Sequence, residues 1–86
     1  MSGAGLRIDK LLWYLRFSKS RTLAQHWVEQ GHIRVNGNRI TRPSFAIHLG
    51  DVITLPRGEG ILVIRMEILP HRRGPAEEAK SHYLCL

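Results

Sequence analysis

A single cysteine, Cys85, stands in a chain of 86 residues, so no internal disulfide can form and the composition fits a reducing compartment. No apolar run approaches the ~18 residues of a membrane-spanning helix, and no signal-peptide pattern opens the sequence. A soluble cytoplasmic protein without a membrane partner is expected. The constellations that enzymes need are missing too: there is no nucleophile–base pair, no paired carboxylates with a pocket and no glycine-rich phosphate loop. The five histidines (His26, His32, His48, His71, His82) lack ligand spacing with a second cysteine or a carboxylate cluster, as zinc would require. Neither catalysis, nor a metal, nor a cofactor, nor a small-molecule substrate is expected. There are no internal repeats and no low-complexity tracts. What remains is one small domain, which buries only about 60% of the surface its unfolded chain exposes and has little room for a deep cavity.

Acidic residues are also scarce, but only in one half. Residues 1–42 hold eight Lys/Arg (Arg7, Lys10, Arg16, Lys19, Arg21, Arg34, Arg39, Arg42) against Asp9 and Glu29, whereas residues 43–86 hold five bases and five acids. The whole formal charge of +6 therefore belongs to the first half. Charge confined in this way predicts one electropositive face and a polyanionic partner.

The basic half is patterned. Ile8, Leu11, Leu12 and Leu15 follow the i, i+3, i+4, i+7 spacing of a buried helical stripe, with Asp9 in the first turn, where a carboxylate favours the helix dipole. Lys10, Trp13 and Phe17 project from the other side, flanked by Arg7, Tyr14 and Arg16. Ser18-Lys19-Ser20 breaks the helix, and Ser20 is a good N-cap for a second one. Leu23, Ala24, Trp27 and Val28 give that helix its apolar side, Thr22, Gln25 and Glu29 its polar side, and Gly31 its stop. So short a connection implies an angular helix–turn–helix pair. Ile33-Arg34-Val35 alternates as a half-buried strand does, and Asn36-Gly37 suits a type I′ turn, which needs φ > 0 at both central positions. That turn would set Ile33 opposite Ile40 and Arg34 opposite Arg39. Like charges facing each other are destabilising, an arrangement that makes sense if an anion lies across both. Residues 41–50 read as a longer connection, Val52–Leu55 as a short strand, Pro56–Gly60 as a turn and Ile61–Leu69 as the longest strand, with Leu62, Ile64, Met66 and Ile68 on one face.

The run RIDKLLWYLRFSKSR, the later GHIRVNG and the LGDVI that follows resemble the RNA-binding module named after ribosomal protein S-four of the small subunit, also called the alpha-L motif. The match runs from about Arg7 to Leu69. Trp13 in the first helix and the stretch RRGPAEEAKSHY make the chain most similar to a standalone, ribosome-associated heat-shock subgroup of bacteria. The resemblance implies an α+β fold, in which a two-helix alpha-L motif packs on a small, mainly antiparallel β-sheet. The S-four-type RNA-binding domain then spans residues 6–69, after a stretch at 1–5 that reads as a flexible leader and before a C-terminal tail (70–86), in which Pro75, the early acids and the late Lys80 suggest a helix. The resemblance further implies binding of structured RNA, and for the subgroup binding of the large ribosomal subunit carrying a nascent peptidyl-tRNA. The chain departs from the subgroup in lacking its basic C-terminal extension and the basic residue often found before Gly50-Asp51.

Charge, placement and resemblance together nominate an RNA-binding face. Lys10, Lys19, Arg21, Arg34 and Arg39 would bind phosphates, with Lys19 and Arg21 at a helix N-terminus that already favours anions. Trp13 or Phe17 would stack on or wedge between bases, although either could instead close over the thin core or pack against the C-terminal segment. Arg7, Arg16, Ser20 and Gln25 belong to the same candidate face, and the resemblance adds Asn36 and Gly37. Trp27 reads as core. The competing interpretation is a protein–protein adaptor, with Trp13, Tyr14 and Phe17 as an apolar hot spot rimmed by cations.

Overall fold

A computed structural model describes residues 5–86, so the leader expected over residues 1–5 lies, Gly5 apart, outside the described residues. Leu6–Arg7 form a two-residue strand, β1, which runs straight into helix α1 (Ile8–Tyr14). The predicted stripe is the buried one: Ile8, Leu11, Leu12 and Leu15 all face the core. The helix closes with a paired hydrogen-bond lock, Arg16 N–H to Trp13 O (3.0 Å) and Phe17 N–H to Leu12 O (3.0 Å). This closure needs a left-handed residue, and Arg16 takes the role at φ 66°, where glycine is usual.

Helix α2 (Arg21–Glu29) starts on Ser20, whose hydroxyl accepts from Leu23 N–H. It ends with the same lock built on Gly31, at φ 78°, with His32 N–H donating to Trp27 O. Ala24 and Val28 are fully buried and Trp27 is half-buried against the core. Leu23, expected on the apolar side, is instead 45% exposed: the buried side of the helix is centred on Ala24 and Val28, with Trp27 at its border. Replacing Ser20 with alanine removes one cap bond and is expected to cost about 1 kcal/mol, visible as a lower urea midpoint with an unchanged slope.

Among the described residues the main sheet has five strands: β2 (Ile33–Val35), β3 (Asn38–Ile40), β5 (Val52–Arg57), β6 (Gly60–Met66) and β7 (Tyr83–Cys85), in the order β3-β2-β5-β6-β7. Each neighbouring pair is antiparallel. The turn between β2 and β3 is the predicted one, with Asn36 at φ 52° and Gly37 at φ 85°. Its register sets Ile33 against Ile40 and Arg34 against Arg39. Ile33, Val35, Ile40, Ile53, Leu55, Ile64 and Met66 bury their side chains in the core shared with the helices.

Several boundaries differ from expectation. The 41–50 connection contains a strand, β4 (Ala46–Ile47), which pairs with β1; Ile47 is fully buried there. The expected Pro56–Gly60 turn shrinks to Gly58-Glu59, since Arg57 pairs with Gly60 and Pro56 with Ile61. Proline is tolerated at that point because β2 pairs with β5 only at Ile53 and Thr54, so its missing N–H costs no ladder bond on that side. Strand β6 stops at Met66 and Ile68 is 53% exposed, because Glu67 and Ile68 N–H both turn to His82 O and break the alternation. Beyond Leu69 the chain forms helix α3 (Ala76–Lys80) and then β7, a strand without a sequence signature that extends the sheet.

Candidate nucleic-acid interface

The two helices meet at Asp9. Its side chain is completely buried, yet it carries a carboxylate, which accepts hydrogen bonds from β1 and from both helices. Arg7 donates through Nε to Oδ1 (3.1 Å) and through Nη2 to Oδ2 (3.0 Å). Lys10 N–H donates to Oδ1 at 2.7 Å. From α2, Gln25 Nε2 donates to Oδ2 at 3.0 Å and Arg21 Nε at 3.3 Å. Burial alone would raise the carboxyl's pKa. The Arg7 and Gln25 hydrogen bonds, the Lys10 amide and the Arg21 charge outweigh it and hold the group below its ordinary 3.8.

One buried anion thus ties two arginines whose own side chains stay 45% and 37% exposed. The cluster keeps a net positive charge, and its guanidinium groups are fixed at one edge while the other edge meets solvent. A forked donor held in this way is suited to phosphate oxygens. Arg21 and Gln25 lie one turn apart on α2, so a single helix face carries both, and the Ser20 cap sets where that face begins.

The remaining candidates sort into separate groups. Lys19 is exposed in the inter-helix turn. Arg34 and Arg39 are exposed and directly opposite on the β2–β3 hairpin, with the Arg39 stem laid against the bare Gly31 α-carbon: a Cβ there would come within 3.0 Å of Arg39 Cδ. Asn36 has a structural assignment that the sequence did not suggest. Its amide donates to Asp51 Oδ1 (3.1 Å) and its carbonyl accepts from Val52 N–H (2.9 Å), which ties the turn to the start of β5. Gly37 is open, with nothing within 4 Å of where a Cβ would stand.

The aromatic face is largely occupied. Arg73 sits over the Trp13 ring, 5.7 Å from its centre, and its Nε donates to Trp13 O at 3.1 Å. Phe17 lies between Tyr83 (centres 5.4 Å apart) and the Arg57 guanidinium (5.5 Å). Arg16 Nε donates to Gly74 O at 2.6 Å. Trp13, Arg16 and Phe17 therefore join the helix pair to the C-terminal segment. Sequence reasoning missed Asp9 as the organiser. The available signal was a lone acid in a run of cations, at the start of a helix whose next position along the stripe is apolar. Arg57 and Arg73 were also missed, because they lie in the half of the chain without net charge.

A packed helix pair that presents arginines and lysines, followed by a tight hairpin on an antiparallel sheet, defines a small α+β module with an electropositive surface. Comparison with known proteins names the class more closely. The S4 domain family model matches residues 6–53, and the chain belongs to that family. It is 36% identical over 78 residues to heat shock protein 15 of Escherichia coli (strain K12), an alignment that covers 91% of this chain and 58% of the relative. It is 43% identical over 49 residues to the small ribosomal subunit protein uS4 of Gloeobacter violaceus, covering 57% of this chain and 24% of that protein. Among solved structures, a trimeric Vibrio cholerae heat shock protein 15 superposes with a TM-score of 0.90 at 38% identity, over 95% of this chain and 82% of that one. The chain thus spans 58% of the length of the E. coli heat shock protein that it matches.

Proposed function

We propose that this chain is a non-catalytic RNA-binding module that recognises structured RNA, with ribosomal RNA as its target. The observation that carries the reading is the Asp9 cluster: a buried carboxylate that holds two half-exposed arginines at the junction of the helices. Rigidly placed cations read the spacing of phosphates in a folded RNA, and so its shape more than its base sequence. Membership of the S4 domain family, and a relative named as a small ribosomal subunit protein, support the ribosomal target. The finer proposal is the large ribosomal subunit bearing tRNA, and with it a cytoplasmic location; it rests on the likeness to the heat-shock subgroup. RNA contacts would come from Lys10, Lys19, Arg21, Arg34 and Arg39, with Arg7 and Gln25 acting from the Asp9 cluster.

The adaptor alternative loses ground on the same geometry. Its hot spot needs Trp13 and Phe17 free, and Arg73, Arg57 and Tyr83 already lie against them.

A salt titration with a ribosomal RNA fragment tests the reading. Five phosphate contacts predict a log–log slope of about −4, so affinity should fall roughly 10²–10³-fold between 50 and 200 mM monovalent salt. Binding that is absent at low salt, or that does not respond to salt, contradicts the proposal.

A further inference from the structure

A groove of about 610 Å³ lies on the flank of α2 turned away from Asp9, between that helix and the β5–β6 turn. The volume is within the ~300–1,000 Å³ typical of small-molecule sites. Phe17, Leu23, Trp27 and Pro56 supply its apolar surface over the buried Leu55, and Leu23 is left 45% exposed there. Arg16, Arg57, His26 and His32 supply its polar rim, and none of the described lining residues is acidic.

An apolar slot edged only by cations and neutral polar groups complements a flat ring that carries an anion. We infer that the groove takes one unpaired nucleotide of the bound RNA, with its base against Trp27 and its phosphate on Arg57. This inference rests on the RNA-binding reading above, and it adds a second contact separate from the phosphate-binding face.

Arg57 is prepared for that role. Its guanidinium carbon lies 5.5 Å from the centre of the Phe17 ring, which itself packs on Tyr83, so a cation–π contact draws the cation to the groove wall. Guanidinium planes serve both as stacking platforms for bases and as phosphate ligands. Trp27 packs against the core while also lining the groove, which fixes its indole as a rigid stacking surface. Gln30, hydrogen-bonded to the His26 ring at 3.0 Å, places an amide at the same wall, where it can donate to and accept from a base edge. A folded acidic protein fits less well. A stable protein interface needs about 800 Å² on each side, far more apolar surface than four residues offer.

The test is a nitrogen-15 NMR titration of the full chain with single-stranded uridine and adenosine hexanucleotides, run beside the structured ribosomal RNA fragment. The hexanucleotides should shift the Trp27 indole N–H and the Gln30 amide saturably. Arg57→Glu and His26→Glu should each weaken hexanucleotide binding by about tenfold or more, while the fragment, held also by the phosphate-binding face, loses less affinity and stays salt-dependent, with its slope flattened by about 1 in Arg57→Glu. His26 is exposed, so its replacement tests the groove even if Arg57→Glu disturbs Phe17. Hexanucleotide shifts confined to the Asp9 cluster and the hairpin overturn the groove assignment and leave the RNA-binding reading standing. A glutamate-rich hexapeptide that moves Trp27 when the oligonucleotides do not overturns it in favour of an acidic peptide. If neither the hexanucleotides nor the fragment bind, both readings fall.

Discussion

Asp9→Ala should lower the melting temperature by roughly 12–24 °C and weaken RNA binding, although it makes the protein more positive. The carboxylate is fully buried and accepts from Arg7, Lys10, Arg21 and Gln25. Its removal leaves those donors facing one another around a cavity. Losing one partner of a buried ion pair costs about 3–5 kcal/mol, and the lower end applies because both guanidinium groups are half in water and can rehydrate. In a domain of this size each kcal/mol moves the midpoint by about 4–8 °C. Asp9→Asn keeps the volume and the acceptor oxygen but not the charge, and should fall between wild type and alanine. If RNA affinity rises with the added charge in both variants, the role of Asp9 in placing Arg7 and Arg21 is wrong.

The same carboxylate sets an acid limit. Its pKa is lowered in the folded state, so the folded protein binds this proton less readily than the unfolded chain does. The stabilisation is fully present above the unfolded value near 3.8 and is lost as pH falls through the lower folded value. Thermal scans from pH 6 to pH 2 should therefore show a steep loss at the acid end for wild type, and a shallower one for Asp9→Asn.

Local patterns in the sequence went a long way toward the fold. The Ile8–Leu15 stripe, the Ser20 cap, the Gly31 stop and the Ile33–Ile40 register all follow from neighbours a few residues apart. Strands β4 and β7 do not. Ala46-Ile47 is too short to show alternation, and Tyr83-Leu84-Cys85 becomes a strand only because β6 offers an edge about twenty residues earlier in the chain. The candidate site divides along the same line. Which residues are cations could be read directly. Which cations are engaged could not, because Arg7 and Arg21 turn to Asp9, Arg16 turns to Gly74 O, and Arg73 reaches back to Trp13 from sixty residues away. Asn36 illustrates the point: turn chemistry explains its backbone, and only the folded chain places Asp51 beside its amide.

Arg34 and Arg39 allow stability and binding to be pulled apart. They face each other across the hairpin, so the fold carries a like-charge pair that a purely structural hairpin has no reason to keep. Arg34→Glu turns that pair into an attractive one and should stabilise the domain by about 0.2–1 kcal/mol, while removing one phosphate contact and flattening the salt slope by about 1. Arg34→Glu with Arg39→Glu restores like-charge repulsion with the sign reversed. Its stability should return close to wild type, while affinity for the ribosomal RNA fragment falls by at least about 10²-fold at low salt. Chemical denaturation and a filter-binding titration on the same three proteins measure both quantities. The decisive comparison is the single variant, where a more stable protein that binds less tightly means that the arginine pair is kept for an anion. A more stable protein with unchanged affinity means that the hairpin lies away from the RNA, and the binding face then contracts to the helices around Asp9.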